Sequence, residues 1–90
     1  MFFVYILRCA DGALYVGSTS DVVHRLAKHQ AGSASAFTRA RRPVALIYAE
    51  PCPSLRQALR RERQIKGWTR AKKEALAAGD LFATEAALSA

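Results

Sequence analysis

The sequence lacks the usual features of membrane, secreted and zinc-binding proteins. No stretch reaches the roughly 18 consecutive apolar residues that a membrane-spanning helix needs. Residues 1–7 carry neither the basic segment nor the small-residue cleavage site of a signal peptide, so we expect a cytoplasmic protein. Only two cysteines are present, Cys9 and Cys52. They match no zinc-ligand spacing, and we expect both thiols to stay reduced and without a chemical role.

Acidic residues are also scarce, at 7 against 14 lysines and arginines, which gives the 90-residue chain a net charge of +7. The excess lies between residues 39 and 73, where eleven basic residues accompany only Glu50 and Glu62. A solvated surface that keeps the protein soluble is one explanation, and an acidic protein partner is another. A nucleic-acid partner explains best why the positive charge is concentrated in one half of the chain.

Linkers rich in proline or glycine and internal repeats are absent as well. The chain therefore predicts one domain at residues 1–80, followed by a short helical tail at 81–90. Aromatic and β-branched residues, turn residues and helix caps predict the elements. The expected strands are 2–9, 14–17 and 44–49, and the expected helices are 22–30, 55–67 and one that Thr69 caps and Gly79 ends. The order β-β-α-β-α-α predicts an α+β fold, a small three-stranded antiparallel sheet flanked by helices.

Two tyrosines flank the Asp11-Gly12 turn, in Val4-Tyr5-Ile6 and in Tyr15-Val16-Gly17. A two-residue loop would place the tyrosines on opposite faces of the hairpin. A three-residue loop, Ala10-Asp11-Gly12 with Gly12 in the left-handed conformation, would pair Tyr5 with Gly17 and place both hydroxyls on one face. The alternation of residues does not distinguish these two loops.

The helix predicted at 55–67 carries a carboxylate among its apolar residues. At about 3.6 residues per turn, Glu62 falls in the middle of a face that we expect to be buried. That face consists of Leu55, Ala58, Leu59 and Ile65. A buried carboxylate is costly unless a cation or hydrogen bonds satisfy it. Either a salt bridge to an arginine on the body of the fold, or a metal site in a cleft, would explain Glu62.

The helix predicted at 22–30 has two side chains of chemical interest beside its apolar stripe. The expected stripe consists of Val22, Val23 and Leu26. Arg25 and His29, one turn apart, lie along its border, whereas His24 points to solvent. Both residue types are common at helix edges. Beside a phosphate, Arg25 would supply a permanently charged fork and His29 a titratable donor or acceptor.

In combination, these residues resemble the GIY-YIG endonuclease superfamily. Residues 4–6 stand where the family has its first tripeptide, and residues 15–17 where it has its second. Arg25 takes the place of the family's helix arginine, and Glu62 that of its metal-binding glutamate. Segments 7–12, 38–43 and 66–68 are similar to the small stand-alone bacterial GIY-YIG proteins of the UPF0213 type. The first tripeptide lacks its glycine, and the asparagine that some members place after the glutamate has no counterpart.

The resemblance implies a metal-dependent endonuclease that hydrolyses phosphodiester bonds in nucleic acid, DNA rather than RNA. Glu62 would hold a single divalent ion, Mg²⁺ or Mn²⁺, and Arg25 would steady the phosphate. Tyr5 would act as base or orient water, Tyr15 would position water or phosphate, and His29 would relay a proton. Both tyrosines must then share one face, which requires the three-residue loop. The residues expected to hold the nucleic-acid backbone are Arg39, Arg41, Arg42 and Lys66, together with the helix arginines. The alternative is a nucleic-acid-binding module of the same fold with little or no activity.

Overall fold

A three-stranded antiparallel sheet forms the centre of the computed structural model, which describes residues 1–79. Its strands are β1 (Phe2–Arg8), β2 (Leu14–Thr19) and β3 (Ala45–Cys52), in the order β2-β1-β3. The helices are α1 (Val22–Ala31), α2 (Ala36–Arg39), α3 (Leu55–Lys66) and α4 (Arg70–Ala77). The predicted α+β fold is confirmed. The tail expected at 81–90 lies outside the described residues.

The β1–β2 hairpin has the three-residue loop. Tyr5 pairs with Gly17, and Leu7 pairs with Tyr15. The Cys9 amide donates to the Ala13 carbonyl at 2.8 Å, and Gly12 has a φ of 86°, as a bulge-forming turn of this kind requires. The two tyrosines therefore lie on the same face of the sheet.

Each face of the sheet packs against its own helices. On one face, buried residues such as Val4 and Ile6 contact Ala58 and Ile65 of α3 and Leu76 of α4. The opposite face carries the aromatic and apolar side chains that pack with Leu26 of α1. These are Tyr5, Leu7, Cys9, Val44, Ala13 and Tyr15. The sheet is therefore the middle layer of three, with α1 and α2 on one side and α3 and α4 on the other.

Helix caps place α1, α3 and α4 close to their expected positions. The side chains of Asp21, Ser54 and Thr69 each accept a hydrogen bond from the backbone amide three residues on, which satisfies an otherwise unpaired donor of the first turn. Gly32 ends α1 with a φ of 81°, which favours glycine because it has no Cβ. Among the described residues, no helix is both long and apolar enough to cross a membrane.

Two element predictions were incomplete. Residues 31–43 have the composition of a loop, yet they contain the short helix α2, which Ser35 caps. The third strand continues past Ala49 and includes Pro51. Because β3 is an edge strand, the missing amide of Pro51 does not interrupt the pairing of a central strand.

The buried faces of two helices also differ from the prediction. Val23 is 81% exposed, and Leu55 and Leu59 are about half exposed, at 49% and 48%. The face of α3 that meets the sheet is centred on Ala58 and Ile65, so Glu62 lies at its border and not in its middle. The count of apolar residues therefore gave too much weight to the leucines of α3.

Candidate active site

Tyr5 is the centre of the site, and Gly17 makes room for it. A Cβ atom at Gly17 would lie 2.5 Å from the Tyr5 hydroxyl oxygen and 2.6 Å from the ring carbon that carries it. These distances are far below van der Waals contact, so only glycine allows the tyrosine ring to cross β2 at this point. The register of the hairpin and the glycine at position 17 together determine the position of the Tyr5 ring.

His29 lies beneath the two tyrosines and is completely buried. Its Nε2 is 2.9 Å from the Tyr5 hydroxyl, and its Nδ1 is 2.8 Å from Oγ1 of Thr38, which is also fully buried. The ring of Tyr15 packs edge-on against it, with ring centroids 5.0 Å apart. His29 therefore lies inside the fold. The sequence predicts it instead at the border of the apolar stripe of α1.

Thr38 was missed by the sequence analysis. It lies in α2, where its hydroxyl is 2.8 Å from Ser35 Oγ and 3.4 Å from the Ser35 carbonyl. A threonine in a polar loop carries no periodic signal, so only the tertiary fold reveals its contact with His29. Because both ring nitrogens of His29 have partners, a neutral ring donates through one nitrogen and accepts through the other.

The surroundings of Tyr5 hold its hydroxyl in the neutral form. Burial, and then the neighbouring Tyr15, raise the pKa of Tyr5 to about 12, and Glu62 acts in the same direction. The positive charge of Arg25 opposes this increase but does not overcome it. Tyr5 is only 2% exposed. An isolated tyrosinate base at neutral pH is therefore not available at this position.

Arg25 and His29 influence each other across one turn of α1. Burial lowers the pKa of His29, and the nearby positive charge of Arg25 lowers it further. The ring is therefore neutral at neutral pH. Within residues 1–79, Arg25 forms no ion pair with a carboxylate, and its side chain is partly exposed. Its guanidinium can accordingly receive an anion from solvent.

Glu62 reaches the site from the opposite side of β2. Ser18 Oγ donates a hydrogen bond of 2.6 Å to its Oε1, and Lys66 Nζ lies 2.7 Å from its Oε2. The carboxylate side chain is 18% exposed. A salt bridge to an arginine was one of the two explanations considered for Glu62, and the structure shows a pair with Lys66, one turn later, in its place. Ser18 is a second contact that the sequence analysis missed.

The donor set at Glu62 suits a divalent ion only if substrate and water complete it. Residues 1–79 contain no cluster of three or more His, Cys, Asp or Glu side chains that could hold a metal ion alone. Mg²⁺ prefers hard oxygen ligands and commonly keeps several waters while binding one or two carboxylates and a substrate phosphate. Glu62, whose side chain is 18% exposed, supplies one such carboxylate.

Of the four residues that we expect to contact nucleic acid, three make contacts within the protein and one, Arg39, is exposed. Arg41 pairs with Asp11 at 3.0 Å and lies over the Phe37 ring, and Arg42 donates to backbone carbonyls of Arg39 and Gln30. These two arginines hold the α2 loop against the fold. Lys66 pairs with Glu62. Arg39 is exposed, and it forms no ion pair among the described residues.

Arg61 and the two thiols serve the core. Arg61 pairs with Glu50 of β3 at 3.0 Å, and Glu50 also accepts from the Tyr48 hydroxyl at 2.8 Å. Burial raises the pKa of both Cys9 and Cys52, which are free thiols. Both cysteines are therefore held in the protonated form.

Sequence comparison finds related proteins over most of the chain. Residues 1–75 match the family model described as the GIY-YIG catalytic domain. The chain is 47% identical over 72 residues to a UPF0213 protein of Bacillus pumilus, covering 80% of this chain and 74% of that protein. It is also 47% identical over 76 residues to a UPF0213 protein of Halobacterium salinarum, covering 84% and 99%.

A solved structure extends the comparison to three dimensions. The solution NMR structure of a UPF0213 protein from Bacillus halodurans is 42% identical, with a TM-score of 0.55 over 87% of this chain and 84% of that one. The likeness in fold thus extends over most of the chain. The chain belongs to the GIY-YIG family, and within it to the group of UPF0213 proteins.

Proposed function

We propose that this protein is a divalent-metal-dependent endonuclease that hydrolyses phosphodiester bonds in DNA. The observation that carries the proposal is that four other side chains act on Tyr5. His29 contacts the Tyr5 hydroxyl directly, Tyr15 packs beside it, and the charges of Arg25 and Glu62 both act on it. Membership in a nuclease family supports the same reaction.

Tyr5 and His29 act as a proton relay. With Thr38 donating toward the Ser35 carbonyl, its oxygen accepts from His29 Nδ1–H, and the free Nε2 accepts from the Tyr5 hydroxyl. The phenol oxygen then takes a proton from the attacking water as its own proton passes to Nε2. The imidazole ends the step positively charged, and the phenol stays neutral throughout, as a pKa of about 12 for Tyr5 requires.

Arg25 and Tyr15 hold the scissile phosphate. Arg25 presents a charged fork that can bind two phosphate oxygens, and its charge stabilises negative charge that develops there. Among residues 1–79, the Tyr15 hydroxyl has no hydrogen-bond partner, so it is available to a phosphate oxygen or to water. Tyr15 therefore positions substrate, and Tyr5 handles the proton.

Glu62 would hold the divalent ion, with Ser18 orienting its carboxylate. When bound, such an ion polarises the phosphate and neutralises charge on the leaving oxygen. Lys66 would release Oε2 to make room and turn to the substrate backbone. Members of the GIY-YIG nuclease family generally use divalent metal ions, which supports this assignment.

A nucleic-acid-binding module without cleavage is the second candidate. Two observations favour it: both oxygens of Glu62 already have partners in the chain, and Tyr5 is 2% exposed. A site closed in this way would bind nucleic acid on its basic surface and perform no chemistry.

A cleavage assay distinguishes the two candidates. Native protein is incubated with single-stranded, duplex and branched DNA, and with RNA, in Mg²⁺, Mn²⁺ or EDTA. We expect cleavage of DNA that EDTA abolishes. Glu62→Gln and Arg25→Gln should each lower the rate by at least about 100-fold, the size of effect seen when one transition-state contact is removed.

Matched controls on the surface make the result specific. Arg70 pairs with Glu74 on α4 at 3.6 Å, and Glu74 also pairs with Arg8 of β1. Because neither residue belongs to the candidate site, Glu74→Gln and Arg70→Gln should cleave as the native protein does. Cleavage that survives both Glu62→Gln and Arg25→Gln would remove the site from consideration. Tight binding by a folded native protein with no cleavage in either metal would establish the module.

A further inference from the structure

The exposed side of α3 carries a surface that the site chemistry leaves unused. A shallow depression beside the carboxylate is lined by Leu59, Glu62, Arg63 and Lys66. A second depression, lined by Arg56, Leu59, Arg60 and Arg63, adjoins it. The two share Leu59 and Arg63, so they form one continuous surface that begins at Glu62 and follows the helix toward its N-terminus.

The three arginines of this surface have no acidic partner within residues 1–79. This distinguishes them from Arg61 of the same helix, which is paired with Glu50. Arg41 and Arg42 of the α2 loop are likewise held by intramolecular contacts. Arg39 of that loop is also exposed and has no ion pair among the described residues, but it is a single cation, whereas the three arginines lie together on one surface of α3.

The spacing of the arginines suits a nucleic-acid strand. Arg56, Arg60 and Arg63 span seven residues of helix, or about 10 Å at a rise of about 1.5 Å per residue. Along one strand, phosphates follow each other at about 3.4 Å of helix axis in duplex DNA. Leu59 is 48% exposed between the arginines and offers an apolar contact for sugar or base. Three cations over this length therefore match about three consecutive phosphates.

We propose that Arg56, Arg60 and Arg63 bind consecutive phosphates of the DNA strand whose scissile phosphate lies at Glu62. This assignment rests on the proposed function for the position of the cut, but binding along α3 is measurable without any cleavage. We call the surface formed by Arg56, Leu59, Arg60 and Arg63 the α3 track.

The test compares salt dependence in two triple variants of equal charge. One replaces the arginines of the track by glutamine (R56Q/R60Q/R63Q), and the other replaces three lysines of α1 and α4 (K28Q/K72Q/K73Q). Binding of a labelled duplex and of its single strand is measured in EDTA from 50 to 300 mM salt. The track variant should lose about 2.7 units of slope in log K against log salt on duplex, or about 2.1 on single strand, because each lost contact removes about 0.9 or 0.7.

The lysine variant should keep a slope within about half a unit of the native value. Equal loss in both variants would mean that only total charge matters, and that result would overturn the α3 track. An arginine variant with the same slope as the native protein would also overturn it. Binding by the native protein that salt does not weaken would have the same consequence. A cleaving native protein with an unaffected arginine variant would reject the track and leave the nuclease intact. If the track variant loses slope but the native protein never cleaves, the α3 track stands and the proposed nuclease activity is rejected. Circular dichroism confirms that both variants fold.

Discussion

Gly17 sets the distance between Tyr5 and β2, and its replacement is the simplest test of that geometry. Gly17→Ala would place Cβ 2.5 Å from the Tyr5 hydroxyl oxygen, so ring and strand must move apart. We expect a loss of about 1–3 kcal/mol in unfolding free energy, as in other overpacked cores. Urea unfolding measures it.

A second glycine provides the control. Gly67 has a φ of −78°, and an added Cβ there would meet its nearest atom at 3.5 Å. Gly67→Ala should therefore change the unfolding free energy by no more than about 1 kcal/mol, and in the stabilising direction. Equal losses at positions 17 and 67 would contradict the close approach of Tyr5 to β2.

We expect Thr38 to determine which nitrogen of His29 carries the proton. Thr38→Val preserves shape but leaves Nδ1 without its partner at 2.8 Å, and we expect it to cost about 1–3 kcal/mol. The ring should change from the Nδ1–H to the Nε2–H form, which ¹⁵N NMR of the imidazole detects. Thr38→Ser keeps the hydroxyl and should keep the native tautomer. Identical ring ¹⁵N shifts in the native protein and Thr38→Val would disprove this role.

Among the elements, α1 makes stability depend on pH through its single buried histidine. The pKa of His29 is lowered in the folded state, so below a pH of about 6.5 the unfolded chain binds the proton more readily. The unfolding free energy is therefore fully retained above about pH 6.5 and falls as the pH drops below it. Urea unfolding at pH 5.0 to 7.5 should show this decline in the native protein.

The second histidine of α1 is the matched control, because His24 is exposed. His24→Gln should reproduce the native pH dependence, whereas His29→Gln should flatten it in addition to lowering stability. The slope with pH, and not the absolute stability, carries the prediction. If His29→Gln shows the same fall in unfolding free energy at low pH as the native protein, the carboxylates and not His29 cause that fall.

The sequence predicts elements well where a local rule operates, and less well where two elements must meet. Caps at Asp21, Ser54 and Thr69 located three helices. The buried face of each helix was harder to predict, because it depends on how the helix packs against the sheet. Val23 and Leu59, for example, are exposed. The prediction of a buried face relies on the regular spacing of apolar residues, and polar side chains that have tertiary partners do not follow that spacing.

The candidate site follows the same division. Tyr5, Tyr15, Arg25 and Glu62 have motif positions, so their grouping was predictable from order and spacing. Thr38 and Ser18 act through side chains far away in sequence, His29 and Glu62 respectively. No local pattern specifies such pairs, and only the packing of α2 and α3 on the sheet brings them into contact.

In the molecule as a whole, the sheet holds one tyrosine with a raised pKa on each face. The pKa of Tyr5 is raised to about 12 by burial and Tyr15, and that of Tyr48 to about 12 by burial and its hydrogen bond to Glu50. Both values exceed the ordinary value of about 10. Stability is thus fully retained below about pH 10 and falls as the pH rises toward 12, by at most about 1.4 kcal/mol per pH unit for each tyrosine.

Phenylalanine variants separate this effect from the titration of lysines. Tyr5→Phe and Tyr48→Phe should each remove part of the alkaline decline in unfolding free energy between pH 10 and 11.5. The double variant should remove the sum, because the two side chains pack in separate clusters. Tyr15→Phe should reduce the Tyr5 contribution and leave that of Tyr48 in place, because Tyr15 is one of the groups that raise the pKa of Tyr5. An alkaline decline of equal steepness in the native and double-variant proteins would exclude both tyrosines as its cause.

The Glu62–Lys66 pair gives the Glu62 carboxylate a counter-ion from within the chain. An i,i+4 pair with a lysine that is 53% exposed contributes only about 0.3–0.5 kcal/mol. The carboxylate is therefore oriented by a partner that leaves at little cost. If Glu62 holds a divalent ion as we propose, Glu62 and Lys66 would act as a cation-exchange site: the ion would displace only a tethered ammonium, and Lys66 would stay one helical turn away.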